Sequence, residues 1–480
     1  MQEIHWLKPG RKSSIASGYV SMSSCVECSN RSKNNPGRLE AGVDEHENNT
    51  EELIPLSDTY REMWRELNMD LEKHDAFLGT LPVAFGEVFL RQENRPAGMA
   101  YFDNALAEAH GGRIQEILAG KKAGRMVAGT FCVFAPEELI FAVDGISIGL
   151  CGGAQFTVPT GEQVLPRNLC PLIKSAMGFK LDRICPYFQA VDFLIGETTC
   201  DGKKKTWEIL NEYVPTYVME LPQKKGAADL TLWEGEIHRL KEEIEHRSGR
   251  EITADRLASG IKMANARRDA LARLYRARWA DPVPISGKDA LLISQLAFFD
   301  DPERFTAQVN SLCDELEDRI ARGEGVTRKG APRILVTGTP MALPYWKLHH
   351  LVETSGAVIV SEETCTGTRY FAGRVAENGR TVEDQVKDLA RRLTAINCAC
   401  FTPNKDRVED ILRLVRDARA DGVIYFSLQF CQPFGVEGRL VERALQEAGV
   451  PVLRLESDYS EEDVAQLKTR IEAFLEMIAS

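Results

Sequence analysis

Short apolar segments alternate with amphipathic ones in two parts of the chain, and this alternation constrains the fold more than any other feature. In the second part, the apolar segments span 332–338, 356–362, 422–427 and 451–456. The segments of helical period in the same part span 382–393, 406–420 and 437–448. Apolar strands separated by helices are typical of a parallel sheet that is covered by helices on both faces. We therefore predict a doubly wound α/β domain here.

The earlier part repeats the pattern less regularly. Its apolar segments span 125–132, 145–151 and 191–196, and a helix-like segment covers 136–142. Between the two parts, residues 230–325 are charged and have a helical period. The alternation thus predicts two parallel-sheet domains with a helical connecting region.

These patterns divide the whole chain. Residues 1–50 are rich in Ser, Asn, Gly and charge, and we predict a disordered extension because they have too few large apolar side chains to offset the entropy of ordering. The other predicted parts are a helical N-terminal region at 51–123, a first α/β domain at 124–229, a helical linker or cap at 230–330 and a second α/β domain at 331–480.

Composition and charge exclude several classes of function. The chain has 480 residues and a formal net charge of −12, and this acidic balance argues against sequence-independent nucleic-acid binding. No apolar run approaches the ~20 residues of a membrane-spanning helix, and the N-terminus has no apolar stretch of signal-peptide length. We therefore expect a cytoplasmic protein with reduced thiols that acts on small molecules.

The chain has twelve cysteines, which a reduced protein does not need for disulfides. A single cysteine is commonly just a small buried hydrophobe. Several here precede Gly or Pro in turn contexts: Cys151, Cys170, Cys185, Cys200 and Cys365.

The cysteines also follow the predicted strands. Cys200, Cys365 and Cys431 each lie a few residues beyond a strand end, where open α/β sheets bind their ligands. We predict that thiolates from both domains converge on an iron–sulfur centre in the cleft between them. A structural zinc site is the alternative, but its usual two ligand pairs are missing because Cys25 and Cys28 form an isolated CxxC pair.

Other cofactor motifs are absent from the sequence. It has no GxxxxGK[ST] loop for a nucleotide triphosphate, no GxGxxG dinucleotide fingerprint and no HExxH zinc motif. We therefore predict that the chain does not hydrolyse ATP itself. Lys203–Lys205, next to Cys200, are either an anion site at a helix N-terminus or a solvated face, and their closeness to Cys200 favours the first reading slightly.

Six segments carry recognisable motifs. They span 129–153, 165–180, 185–208, 362–375, 422–438 and 453–476. They include NLCP at Cys170, TTCDGKKK at Cys200 and QFCQP at Cys431. Together they resemble the 2-hydroxyacyl-CoA dehydratase component family, and within it most of all the double-cubane cluster protein branch. The resemblance covers roughly residues 95–480, and its spread over six segments makes it more specific than any single motif.

The resemblance implies two flavodoxin-like α/β domains with an iron–sulfur cluster between them. It also implies a partner: a separate ATP-hydrolysing activator with its own [4Fe–4S] cluster, which delivers electrons one at a time. The missing phosphate loop agrees with this division of tasks. The family further implies an anaerobic enzyme.

The resemblance also implies a set of ligands. In dehydratase subunits of the family, a [4Fe–4S] cluster is held by three cysteines and keeps one iron open to substrate; by motif, these match Cys170, Cys200 and Cys431. An [8Fe–9S] double cubane needs about twice as many thiolates. The supplementary candidates are Cys151, Cys185, Cys365 and Cys398. We expect Cys132 and Cys313 to lie in the core or on a helix face, and Cys400 to point away from Cys398.

The sequence is compatible with two enzymatic functions and, less well, with a third, non-catalytic one. The first is a homodimeric double-cubane reductase that acts on small unsaturated or N–N-bonded molecules. The second is a 2-hydroxyacyl-CoA dehydratase subunit with a single [4Fe–4S] cluster, which removes water by a ketyl-radical route. The third is a non-catalytic electron carrier. The number of cysteines favours the first, whereas the sequence identifies no catalytic residue beyond the cluster ligands.

Overall fold

The computed structural model describes residues 58–150 and 152–479. The predictions for residues 1–50, including Cys25 and Cys28, and the position of Cys151 lie outside these described residues. All described residues belong to one contiguous unit, 53–480.

A helical region precedes the first sheet, as the sequence predicts. Its helices are α1 (Asp58–Glu66), α2 (Leu71–Leu78), α3 (Leu81–Phe85), α4 (Met99–Ala107) and α5 (Gly112–Lys122), with a π-helical turn at Gly86–Leu90. Asp70 caps α2, because its carboxylate accepts a hydrogen bond from the N–H of Lys73. Trp64 and Phe102 are fully buried in the main core, so these helices pack against the rest of the unit.

The first sheet is parallel and has the order β2-β1-β3-β4. Its strands are β1 (Val127–Thr130), β2 (Ile146–Gly149), β3 (Phe193–Glu197) and β4 (Thr216–Met219). The helices between them are α6 (Glu137–Ala142), α7 (Val158–Gly161), α8 (Pro171–Leu181), α9 (Pro186–Ala190) and α10 (Asp201–Leu210), with a 3-10 turn at Gln155–Thr157. Every residue of β1 and β3 is buried, as expected of central strands that are covered on both faces.

Four helices connect the two sheets: α11 (Ala227–Ser248), α12 (Ala254–Ala277), α13 (Gly287–Leu296) and α14 (Pro302–Arg322). Buried ion pairs join this region to both halves of the unit. On the first side, Arg268 of α12 pairs with Glu138 at 2.6 Å. On the second side, Arg278 pairs with Glu362 at 2.6 Å, and both side chains are fully buried. Removing one partner of such a pair leaves an uncompensated buried charge, so these contacts hold the helical region in one position.

The second sheet is also parallel, with the order β6-β5-β7-β8. Its strands are β5 (Arg333–Gly338), β6 (Val358–Glu363), β7 (Gly422–Leu428) and β8 (Val452–Ser457). Its helices are α15 (Lys347–Thr354), α16 (Thr368–Phe371), α17 (Val382–Thr394), α18 (Lys405–Asp417), α19 (Gln432–Glu447) and α20 (Val464–Ala479). The central strands β5 and β7 are buried throughout, whereas β8 at the edge is partly exposed.

The predicted fold class is confirmed: two parallel four-stranded sheets are flanked by helices and preceded by a helical segment. Both sheets have the same strand order. In each, the direction in which strands are added reverses between the two central strands, which are β1 and β3 in the first sheet and β5 and β7 in the second. Within residues 58–150 and 152–479, no helix has the length and apolar character to cross a membrane.

Candidate functional site

A cavity of about 1020 Å³ lies at the carboxyl ends of both sheets. The first sheet contributes residues that follow β1 and β3, and the second contributes residues that follow β6 and β7. Parallel sheets bind their ligands at this edge. Seven of the described cysteines line the cavity: Cys132, Cys170, Cys200, Cys365, Cys398, Cys400 and Cys431.

Three of these cysteines begin helices. Cys170, Cys200 and Cys431 are the N-cap residues of α8, α10 and α19. The Sγ of Cys200 accepts a hydrogen bond from the backbone N–H of Lys203 at 3.5 Å. At α8 and α19, the backbone N–H groups of the first turn act to lower the pKa values of Cys170 and Cys431. Since the first turn of a helix stabilises negative charge, all three positions suit a thiolate.

Cys170 and Cys431 influence each other at the cavity. Their interaction lowers the pKa of Cys170, whereas the same interaction and burial raise the pKa of Cys431 well above its usual value. Burial raises the pKa of Cys200, against the opposing effect of the Lys203 N–H and ammonium. Thiolates at these positions would repel one another, and a bound cation would offset that repulsion.

The other four cavity cysteines form a second set. Cys132 follows β1, Cys365 follows β6, and Cys398 and Cys400 lie in the loop after α17. A hydrogen bond from the Cys400 thiol, together with the nearby charge of Arg369, lowers the pKa of Cys398 to about 6. Burial raises the pKa of Cys365 to about 11. The charge of Cys398 acts to raise the pKa values of Cys132 and Cys365, and it acts in the same direction on Cys431 of the first set.

Arg369 lies beside this second set with part of its guanidinium unsatisfied. It is 4% exposed, and its Nε stands 3.3 Å from Oε1 of Glu363. Its Nη1 has no hydrogen-bond partner among the described residues. A buried donor without an acceptor costs roughly 1–3 kcal/mol. The positive charge of Arg369 acts to lower the pKa values of Cys365 and Cys398.

The lysines next to Cys200 are engaged with carboxylates. Lys203 pairs with the buried Glu197, Lys204 with Asp201 at 2.9 Å, and Lys205 with Glu208 at 2.8 Å. Lys203 also lies 5.8 Å from the centre of the Trp207 ring. Of the three, Lys203 and Lys204 line the cavity, whereas Lys205 belongs to the outer face of α10.

The structure brings together five of the cysteines that the sequence singles out. Cys170, Cys200, Cys365, Cys398 and Cys431 all line the cavity. Cys151 lies outside the described residues.

Cys185 differs, because it is absent from the described lining. It is the N-cap residue of α9, where burial raises the pKa of its thiol to about 11. Cys185 is therefore not among the proposed ligands.

Two further cysteines reach the cavity against expectation. The sequence predicts that Cys132 lies in the core or on a helix face, but β1 ends at Thr130 and leaves it at the carboxyl edge of the sheet. Cys400 was expected to point away from Cys398 by the alternation of a regular element, but both lie in a loop before Pro403, where no such alternation holds. The strand-end rule that selects Cys200 would also have selected Cys132.

Cysteine thiols are the donors that could hold a metal group at the cavity. Within the described parts of the chain, no three His, Cys, Asp or Glu side chains form a site for one metal ion. The donor set is purely sulfur, it is backed by helix N–H groups, and it adjoins an unsatisfied guanidinium. These features fit an anionic iron–sulfur group.

Comparison with known proteins points in the same direction. The chain is 38% identical to the protein named "Putative dehydratase subunit YjiM" of Escherichia coli (strain K12) over 79% of this chain and 98% of that protein. It is 21% identical to the (R)-phenyllactyl-CoA dehydratase beta subunit of Clostridium sporogenes, over 75% of this chain and 93% of the relative. It is 24% identical to one of the benzoyl-CoA reductase subunits of Thauera aromatica, over 68% of this chain and 84% of the relative.

A family model covers most of the same region. The model of the 2-hydroxyglutaryl-CoA dehydratase D-component matches residues 132–478, which begin at Cys132 and include all seven cavity cysteines. The family resemblance that the sequence motifs suggest is confirmed, and the relatives' names make this a family of enzyme components. The chain belongs to the 2-hydroxyglutaryl-CoA dehydratase D-component family.

Proposed function

We propose that this chain is an iron–sulfur reductase that holds an [8Fe–9S] double cubane in the cavity between its two sheets. The observation that carries the proposal is the division of the cavity thiols into two sets. Cys170, Cys200 and Cys431 would hold one cubane at three helix N-termini. Three thiols of the second set would hold the other, and that set has four to offer: Cys132, Cys365, Cys398 and Cys400.

The residues around these thiols support low-potential electron transfer. Helix N–H groups and hydrogen bonds to the sulfurs tune the potential of a cysteine-ligated cluster, as does its distance from water. In this chain the N–H of Lys203 donates to Cys200, and the buried Arg369 lies beside Cys398. When bound, the cluster would supply one-electron chemistry and an open coordination position. The chain's own part is to bind it, to orient the substrate and to limit access of water.

The charges of the cavity favour a small uncharged substrate over a CoA thioester. Its charged lining residues are two lysines and three carboxylates: Lys203, Lys204, Asp201, Glu220 and Asp229. Both lysines already pair with carboxylates, and none of the described lining residues is an arginine. The phosphates of coenzyme A call for clustered Arg or Lys. This lining therefore supports reduction of a small neutral molecule.

The chain needs a separate electron donor under this proposal. It carries no phosphate-binding loop, so the energy for low-potential reduction would come from an ATP-hydrolysing activator with its own [4Fe–4S] cluster. We further propose a homodimer that works in the cytoplasm of an anaerobic cell. These points rest on the family resemblance.

A dehydratase subunit with a single [4Fe–4S] cluster is the second candidate. It is favoured by the names of relatives such as the (R)-phenyllactyl-CoA dehydratase beta subunit. In that case Cys170, Cys200 and Cys431 would be the whole ligand set, and the second set would carry no metal.

Metal content separates the two candidates. The full chain is purified under anaerobic conditions, and iron and acid-labile sulfide are measured per chain. A double cubane gives about eight iron and nine sulfide, whereas a single cubane gives about four of each. The Cys365→Ala variant is the matched comparison: it should lower iron content only if the second set holds metal. Four iron atoms in both wild type and variant would contradict the double cubane.

A further inference from the structure

The turn between β7 and α19 contains a backbone conformation that its residue disfavours. The N–H of Cys431 donates to the carbonyl of Leu428 at 3.1 Å, which closes a four-residue turn. Phe430 is the third residue of this turn, and its φ is 60°. That left-handed conformation is usual for Gly and Asn at this turn position, and it is strained for a bulky side chain. The chain therefore keeps a phenylalanine where glycine would be easier to accommodate.

The position of Phe430 gives a reason to keep the ring. Phe430 lines the cavity and is 48% exposed, so its ring belongs to the accessible part of the cavity wall. It immediately precedes Cys431, whose sulfur faces Cys170. The turn itself is held in place, since the N–H of Gln429 donates to the carbonyl of Ser457 at 2.8 Å.

The neighbouring exposed apolar residues behave differently. Val436 and Leu440 of α19 are 73% and 56% exposed, and neither is among the described lining residues. Their exposure is the ordinary scatter of apolar side chains on a surface. Val218 and Leu232 are also exposed and line the cavity, but among residues 58–150 and 152–479 Phe430 alone adds a positive φ to these two features. Strained residues that persist in a fold cluster at functional sites.

We propose that Phe430 is a cover for the Cys431 side of the cavity, which limits the access of water and solutes to the sulfur behind it. The inference rests on the proposed function for its biological purpose, because the cover would protect a metal centre. The shielding itself is a property of the chain, and it is measurable on the thiol without metal. The Phe430 ring thus shields the site, and this shielding is the reason that the chain tolerates the strained backbone.

The test uses the full chain in its metal-free, reduced form. It is treated with the alkylating reagent N-ethylmaleimide at one pH, and mass spectrometry measures the rate of modification at each cysteine. Phe430→Gly should be alkylated at Cys431 several-fold faster than wild type. Phe430→Tyr, which keeps the ring, should retain the wild-type rate. Val436→Ala is the control for a lost exposed apolar side chain, and it should also retain that rate. Cys313, buried on α14, reports general unfolding and should stay unmodified in all four proteins.

Thermal stability supplies a second, opposite readout. Because glycine adopts a positive φ without strain, Phe430→Gly should raise Tm by roughly 2 °C while it exposes Cys431. A merely structural role for the ring would lower Tm instead. Phe430→Gly with an unchanged alkylation rate, or Phe430→Tyr with a rate as fast as that of the glycine variant, would overturn the proposal.

The metal-loaded chain separates this proposal from the proposed function. With iron bound, Phe430→Gly should lose it to a chelator faster than wild type. If the wild-type chain binds no iron, the proposed function fails, and the difference in Cys431 alkylation between Phe430→Gly and wild type still supports the cover.

Discussion

At the scale of single residues, the cysteines of the cavity differ in what surrounds their sulfurs. The sulfur of Cys200 sits at the start of α10 and receives the N–H of Lys203. Cys431 occupies the same position on α19. Cys185 is likewise an N-cap residue, of α9, yet it is absent from the described lining of the cavity. A place at a helix N-terminus therefore does not by itself identify a ligand, and only convergence with other thiols makes a ligand site.

This difference predicts the behaviour of three variants. Cys200→Ala and Cys431→Ala should each lose most of the bound iron, because a metal corner would lack its anionic ligand. Cys185→Ala is the matched control, another helix N-cap cysteine of the first half, and it should keep wild-type iron content. Iron and sulfide analysis of anaerobically purified protein measures all three. Full iron retention in the first two variants would refute the assignment of their thiols.

At the scale of elements, the helical N-terminal region contains a buried histidine pair. His74 on α2 is fully buried, and its Nε2 lies 3.0 Å from Nδ1 of His110, in the segment between α4 and α5. The two rings are stacked with centroids 5.2 Å apart. Burial lowers the pKa of His74 from 6.5 to about 4 and lowers the pKa of His110 as well. Both rings are therefore neutral in the folded state near pH 7.

The pair predicts a loss of stability in acid. As pH falls below 6.5, the unfolded chain binds a proton at His74 and the folded chain does not, so the free energy of unfolding decreases until about pH 4. A shift of this size corresponds to about 3 kcal/mol for one site, as an upper figure. The loss is measured by urea unfolding at pH 7 and at pH 4.5, with amide exchange in α2 and α5 as the probe of unfolding.

His74→Phe is the control for this pH dependence. It removes the titrating ring, so it should lower stability at pH 7 through the lost hydrogen bond but flatten the decline toward pH 4.5. An equally steep decline in wild type and His74→Phe would show that other groups dominate the acid response.

At the scale of the whole molecule, the cavity joins segments that are far apart in sequence. Cys170 and Cys200 belong to the first half of the chain. The second half contributes Cys365, Cys398, Cys400 and Cys431. The loop that carries Cys400 also contacts the first half directly, because the N–H of Thr402 donates to the carbonyl of Gln223 at 2.9 Å. A metal cluster across these segments would add its binding free energy to this contact, since the bonds exist only in the folded state.

Removal of the metal should therefore loosen the cavity before either sheet. After anaerobic chelation, amide exchange should quicken at residues 198–205, 396–402 and 429–436. The central strands around Leu335 and Val423, both fully buried, should keep their protection. The Cys431→Ala variant should resemble the chelated wild type without any treatment. Equal protection of the cavity segments with and without metal would mean that no cluster bridges the two halves.

Much of the fold followed from the sequence because the central strands and the amphipathic helices leave clear patterns. The middle of β5 and of β7 is a continuous apolar run, at 334–336 and 423–426, since both of their faces are covered. Helices α17 and α18 have a polar and an apolar side. Some elements escaped prediction for physical reasons. Nine of the eleven residues of α8 are buried, so it shows no alternation of polar and apolar residues. β4 is a short, partly exposed edge strand of four residues.

The sequence alone also determined which cysteines follow strands, and hence that Cys200, Cys365 and Cys431 share one edge of the fold. Only the tertiary structure decided the rest of the set. Cys400 reaches the cavity because its loop packs against the first half, and Cys185 misses it because α9 begins elsewhere. A strand end is a local feature that one chain segment specifies. Convergence of loops depends on packing between distant segments, which no local pattern records.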